Sequence, residues 1–129
     1  MTNFIEGTTK AAAIRTVMQI LEDWQLSERE TAAVLGMPSQ AALQLANQNE
    51  AVELHDISAF DIRLGLILGI QQALSVRYGD QSRANSWVRS FDSAALFNGH
   101  RALDLMTGRG LAGLMLVRHF LRNDDLRSA

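Results

Sequence analysis

Residues 58 to 78 constrain the fold more than any other stretch of this chain. Ser58 can cap a helix that continues through Ile62, Leu64, Ile67, Leu68, Ile70 and Leu74 to Tyr78, where Gly79 supplies a C-terminal stop. Apolar side chains recur nearly all round that helix instead of along one stripe. A helix of this kind belongs in the middle of a domain, with neighbours on several sides. Its longest apolar window, Ile62 to Ile70, contains Arg63 and is far too short to cross a bilayer. The rest of the chain must wrap around it, so the segment reads as a central strut joining two halves.

Both flanks read as further helices. Thr9 can cap one in which Ile14, Val17, Met18, Leu21 and Trp24 recur at i, i+3, i+4, i+7 and i+10, a buried stripe that ends near Gln25. Ser27-Glu28-Arg29-Glu30 is a capping box, with serine at the N-cap and glutamate at N3. It opens a short helix that turns Ala32, Ala33 and Leu35 inward before Gly36 stops it. Met37-Pro38-Ser39 starts another, so Leu26 to Asn47 has the dimensions of a DNA-binding-type helix-turn-helix. Beyond the strut, Asp80 to Ser90 forms a shorter helix carrying Trp87, and a loop from Phe91 to Gly99 precedes two last helices. No strand-like alternation persists, and a single proline among 129 residues rich in Ala, Leu, Gln and Arg favours helix. The expected fold is all-α, a compact multi-helix domain.

Composition narrows the chemistry. With 47% apolar residues there is material for one continuous core. The absence of cysteine excludes disulfide staples and thiolate metal sites, and a reducing compartment is the natural reading. The start, Met1-Thr2-Asn3-Phe4-Ile5-Glu6, has neither the basic head nor the apolar run of a signal peptide, so a soluble, cytoplasmic protein is expected. His55, His100 and His119 are scattered, with no ligand spacing on a shared helical face, and no metal or other cofactor is expected. The acid pairs Glu22-Asp23, Glu28/Glu30 and Asp124-Asp125 sit among charged residues with nothing to separate their pKa values. Gly108-x-Gly110 lacks both the third glycine and the preceding strand of a dinucleotide site. The chain is not expected to be an enzyme.

Charge is divided unevenly. Residues 1 to 62 carry three basic and nine acidic residues, whereas residues 63 to 129 carry nine arginines and five aspartates. The halves must face different partners or each other. Arginine makes up eleven of the twelve basic residues, which suits planar recognition of carboxylate or phosphate. In the second helix of the helix-turn-helix, Ser39, Gln40, Gln44 and Asn47 are the candidates for reading base edges. No Lys or Arg lies between Arg29 and Arg63 to neutralise phosphate, so weak or absent promoter binding is expected.

The stretch from Leu96 to Leu121 makes a specific function arguable. A Phe97-Asn98-Gly99 turn leads into Ala102-Leu103-Asp104-Leu105-Met106, and Gly108 and Gly110 flank a break before Val117-Arg118-His119-Phe120-Leu121. Gly99 can adopt a positive φ in a tight turn. Asp104, in the first turn of its helix, reads as a dipole or capping carboxylate before it reads as a partner contact. Trp87 and Phe97 read as core anchors beneath the last two helices, with interface roles as the alternative.

This order of motifs, with Trp87-Val88-Arg89 upstream and the apolar helix Leu64 to Leu74, resembles the toxin-binding domain of the MbcA/ParS/Xre antitoxins. The chain departs from that pattern at Ala102, where many members have proline, and at Asn98, where many have glycine. Its recognition helix also lacks the basic and aromatic residues frequent in the family. The resemblance implies an Xre-like helix-turn-helix region with the central helix over residues 1–78 and an antitoxin toxin-binding domain over 79–129. It implies an antitoxin, a homodimer, that neutralises a RES-domain toxin. Such toxins destroy NAD, and the antitoxin covers the entrance to their nucleotide pocket. The toxin contacts it implies are Arg101, Asp104, Arg109, Arg118, Arg122 and Arg127. The alternatives are a helix-turn-helix transcriptional regulator without a toxin, or an orphan interaction module.

Overall fold

The computed structural model describes residues 2–36, 57–91 and 99–128, with side chains from 12–36, 60–91 and 99–122. All regular structure among them is helical: α1 Thr2–Asp23, α2 Glu28–Leu35, α3 Ile57–Arg77, α4 Gln81–Ser86, a 3-10 turn Trp87–Arg89, α5 Ala102–Gly108 and α6 Gly110–Ser128. The all-α expectation is met. No helix of the described residues is long and apolar enough to cross a membrane.

Local chemistry sets most of the boundaries. The Ser27 capping box forms as expected: its Oγ accepts from the Glu30 amide at 3.1 Å, and the Glu30 carboxylate accepts from the Ser27 amide at 2.8 Å. Gly36 closes α2 in the left-handed conformation at φ 69°. Asp80 caps α4 through the Ser82 amide at 2.9 Å. Two starts differ from expectation. α1 begins at Thr2, so Thr9 lies inside it: residues 2–13 hold no proline, and the Ala11-Ala12-Ala13 run lets the helix extend backwards. α3 begins at Ile57, one residue before Ser58. α1 ends in a Schellman turn in which a non-glycine residue, Gln25, takes the left-handed φ of 63°; the Gln25 amide bonds Glu22 and the Leu26 amide bonds Leu21.

One core runs through all of these elements. α3 packs against α1, α2, α4 and α6, the central position its apolar surroundings called for. Ile14, Val17, Leu21 and Trp24 from the first helix and its turn, Val34 and Leu35 from α2, and Phe60, Leu64, Ile67, Ile70 and Leu74 from α3 are buried with Met106, Leu114, Val117 and Leu121 in a single cluster. Trp87 is buried, and its ring stacks nearly parallel to that of Phe120 on α6, at 6.2 Å between centroids. It is the core anchor expected from its position; Phe97 lies outside the described residues. Contacts between Arg63 and Gly110 and between Arg118 and Gly69 show that α3 and α6 run side by side in the same direction.

Candidate functional site

The candidate surface is built on α5, α6 and the turn before them. Gly99 sits at φ 89°, a conformation any side chain would strain, and redirects the chain into α5. Arg101 follows with extended backbone at the N-cap, and Asp104 at N3 folds back over it. One Asp104 oxygen, Oδ2, accepts from the Arg101 amide at 2.9 Å and from Nε at 3.3 Å, while Oδ1 accepts from Nη2 at 2.9 Å. These bonds hold the Asp104 carboxyl below the usual carboxylate range, with partial burial opposing, and they raise the Arg101 guanidinium in turn. Both charges are therefore fixed over the ordinary pH range. The Arg101 guanidinium carbon also lies over the exposed Phe91 ring, 5.4 Å from its centre.

Between α5 and α6 the break is a single residue. Arg109 is exposed there, its amide bonding the Leu105 carbonyl at 2.9 Å, and Gly110 begins α6 at φ 56°. The corner is tight because α6 crosses the backbone of α5 at Gly113, where a β-carbon would overlap the Leu105 carbonyl oxygen. Leu114, Val117 and Leu121 face inward, while Ala112, Met115, Leu116, His119 and Arg122 face out.

The six residues implied as toxin contacts thus fall into different settings. Arg101 and Asp104 satisfy each other at the start of α5. Arg109 and Arg122 are exposed, and Arg118 is half-buried against Gly69 of α3. Arg127 belongs to the last turns of α6, and its side chain lies outside the described ones. Ser39, Gln40, Gln44 and Asn47 lie outside the described residues.

Sequence patterns held no signal for several side chains that keep this surface in place. Arg63 donates to the Val34 carbonyl at 2.9 Å, and its guanidinium rests against Gly36 and Gly110, where burial lowers its pKa. Arg89 donates to the Gln25 carbonyl at 2.9 Å. Two arginines of the basic half therefore close helix ends of the acidic half through backbone carbonyls, so part of the charge asymmetry is used within the chain. Near Arg89 lies a polar recess of about 670 Å³ between the end of α1 and α4, lined by Asp23, Gln25, Gln81 and Asn85 among others. None of the six implied contacts lines it. Among the described residues, no cluster of His, Asp and Glu could hold a metal ion. No protein-family model matches the chain, and neither a curated protein nor a solved structure matches it.

Proposed function

We propose that this chain is the antitoxin of a type II toxin–antitoxin pair, a cytoplasmic binding protein that neutralises a RES-domain, NAD-degrading toxin. The observation that carries the reading is the α5–α6 corner: between 110 and 122 one side of α6 is exposed, with Arg109 at the corner, Arg122 on that side, and no carboxylate from 105 to 122. A face with this excess of arginine suits an acidic patch on a partner protein. Ala102, the departure from the antitoxin pattern, occupies the first helical position of α5, where proline is also at home; the substitution leaves the motif's geometry open to the same fold.

Co-expression with the product of the neighbouring open reading frame, expected to be a RES-domain toxin, tests the reading. Cells carrying both should keep growing and retain their NAD, whereas cells carrying the toxin alone should lose it. Point substitutions are the right variants, because α1, α2 and α6 share the core and truncation at either end removes buried side chains such as Trp24 or Leu121. The double charge reversal Arg109→Glu, Arg122→Glu should abolish protection. Failure of the wild type to protect, together with a mobility shift of its own promoter DNA, would instead identify a helix-turn-helix regulator without a toxin.

A further inference from the structure

The recess between the end of α1 and α4 holds two opposite charges that do not meet. Asp23 and Arg89 both line it, yet no ion pair joins them. Asp23 accepts from Gln19 through Oδ1 at 3.0 Å, and Arg89 spends Nη1 on the Gln25 carbonyl at 2.9 Å. The second carboxylate oxygen and the rest of the guanidinium fork have no partner among the described residues. Other charges nearby are turned elsewhere: Asp80 caps the Ser82 amide, Arg83 lies over the Tyr78 ring, and neither these nor Glu22 line the recess.

The wall between the two charges is polar throughout. All eight lining residues have polar or charged side chains, whereas recesses of about 670 Å³ are more often lined by apolar ones. Asn85 accepts through Oδ1 from Gln81 at 2.9 Å and from Gln71 at 3.2 Å, and Gln71 accepts from the buried Trp24 indole at 2.9 Å. That relay holds the Asn85 amide in place and leaves its Nδ2 donor without a partner among the described residues. Across from it, Gln25 lines the recess with a left-handed φ of 63°, at a helix end where glycine would be unstrained.

We propose that this recess binds a zwitterionic α-amino acid with a polar side chain, its carboxylate on the Arg89 fork, its ammonium on Asp23 and its side chain hydrogen-bonded to Asn85. A simple anion would face the Asp23 carboxylate and a simple cation the Arg89 guanidinium, whereas a molecule carrying both charges is attracted at both ends. The spacing suits one small molecule. Arg89 is anchored on the Gln25 carbonyl, and the Cα atoms of Asp23 and Gln25 can be no more than about 7 Å apart. The site is separate from the six implied toxin contacts, so it stands or falls independently of the antitoxin reading.

NMR titration of the isotope-labelled full-length chain with L-glutamine tests the site. Saturable shifts are expected at the amides of Asp23, Gln25 and Asn85, and at the Trp24 indole N–H, which feels the recess through Gln71. Leucine, a zwitterion of similar size, should bind about ten-fold more weakly because it leaves the Asn85 donor unpaired. Acetate and methylamine, each with one of the two charges, should give no saturable shift. Asp23→Asn keeps an acceptor for Gln19, and Arg89→Lys keeps a donor for Gln25; each should weaken glutamine about ten-fold with the fold intact by thermal melt. Ser82→Phe fills the recess, removes no side-chain bond and should abolish binding. No saturable shift with glutamine at tens of millimolar, equal binding by leucine or by either single-charge probe, or wild-type affinity in the Asp23, Arg89 or Ser82 variants overturns the inference.

Discussion

The Arg63 guanidinium donates from Nη1 to the carbonyl oxygen of Val34, 2.9 Å away and 29 residues earlier in the chain. Val34 lies in the last turn of α2, where carbonyls have no partner within the helix. A β-carbon at Gly36 would stand 2.9 Å from the same guanidinium, and one at Gly110 would stand 3.3 Å from it. A single side chain of the central helix thus joins the end of α2 to the beginning of α6.

Arg63→Met keeps the aliphatic stem and removes the donors. It should destabilise the protein by about 1–3 kcal/mol, the cost of leaving a partly buried acceptor unpaired. Arg63→Lys should recover only part of this, because a point charge cannot reproduce the planar fork between Gly36 and Gly110. Urea unfolding midpoints provide the measurement, and an unchanged midpoint for the methionine variant would show that water replaces the bond.

Two glycines should respond to alanine in opposite directions. At Gly113 the new methyl group would overlap the Leu105 carbonyl, a backbone atom that cannot swing aside, so Gly113→Ala should cost about 3 kcal/mol or more, or prevent folding. At Gly65 a β-carbon would meet nothing within 4 Å, and Gly65→Ala should stabilise α3 by about 0.5–1 kcal/mol. Paired thermal melts compare the two directly.

Asp104 links stability to acidity. Its folded-state pKa lies below the unfolded value, chiefly through the hydrogen bonds from Arg101, so its contribution is complete above the unfolded carboxylate pKa and is lost as pH falls through the folded one. Asp104→Asn should lower stability at pH 7 by about 1 kcal/mol, as expected for a partly exposed helix-start carboxylate. The deficit should shrink as the wild type is titrated into the acid range below about pH 4. A deficit that is constant with pH would show that geometry, and not charge, accounts for the effect.

Trp24 is fully buried and donates from Nε1 to Oε1 of Gln71 at 2.9 Å; Gln71 in turn donates to Asn85 at 3.2 Å. Gln71→Leu leaves the indole N–H without its acceptor and should cost about 1–3 kcal/mol. Tryptophan fluorescence during denaturant unfolding reports on that environment directly.

Features governed by neighbours in the chain were legible from sequence. The capping box at Ser27 and Glu30, the stop at Gly36, the turn at Gly99 and the break beside Gly110 each depend on a few adjacent residues, and all appear where the spacing put them. The burial of Trp87 followed from its place before the last helix pair. Features governed by distant partners were not. Nothing local to Arg63 or Arg89 points to carbonyls 29 and 64 residues away. Gly113 resembles an ordinary weak point in a helix until Leu105 is seen against it. Thr9 failed as a helix start because capping residues mark only where a helix can begin, and the residues before it continue the helix back to Thr2.

The close approach of Gly113 to Leu105 fixes how the last two helices meet. A corner held backbone against backbone has few shapes available to it, so α5 and α6 cannot open about Arg109 without losing that contact. The face that α6 turns to solvent therefore takes its shape as the chain folds. The conformational freedom that a looser hairpin would keep in the native state is surrendered here at folding.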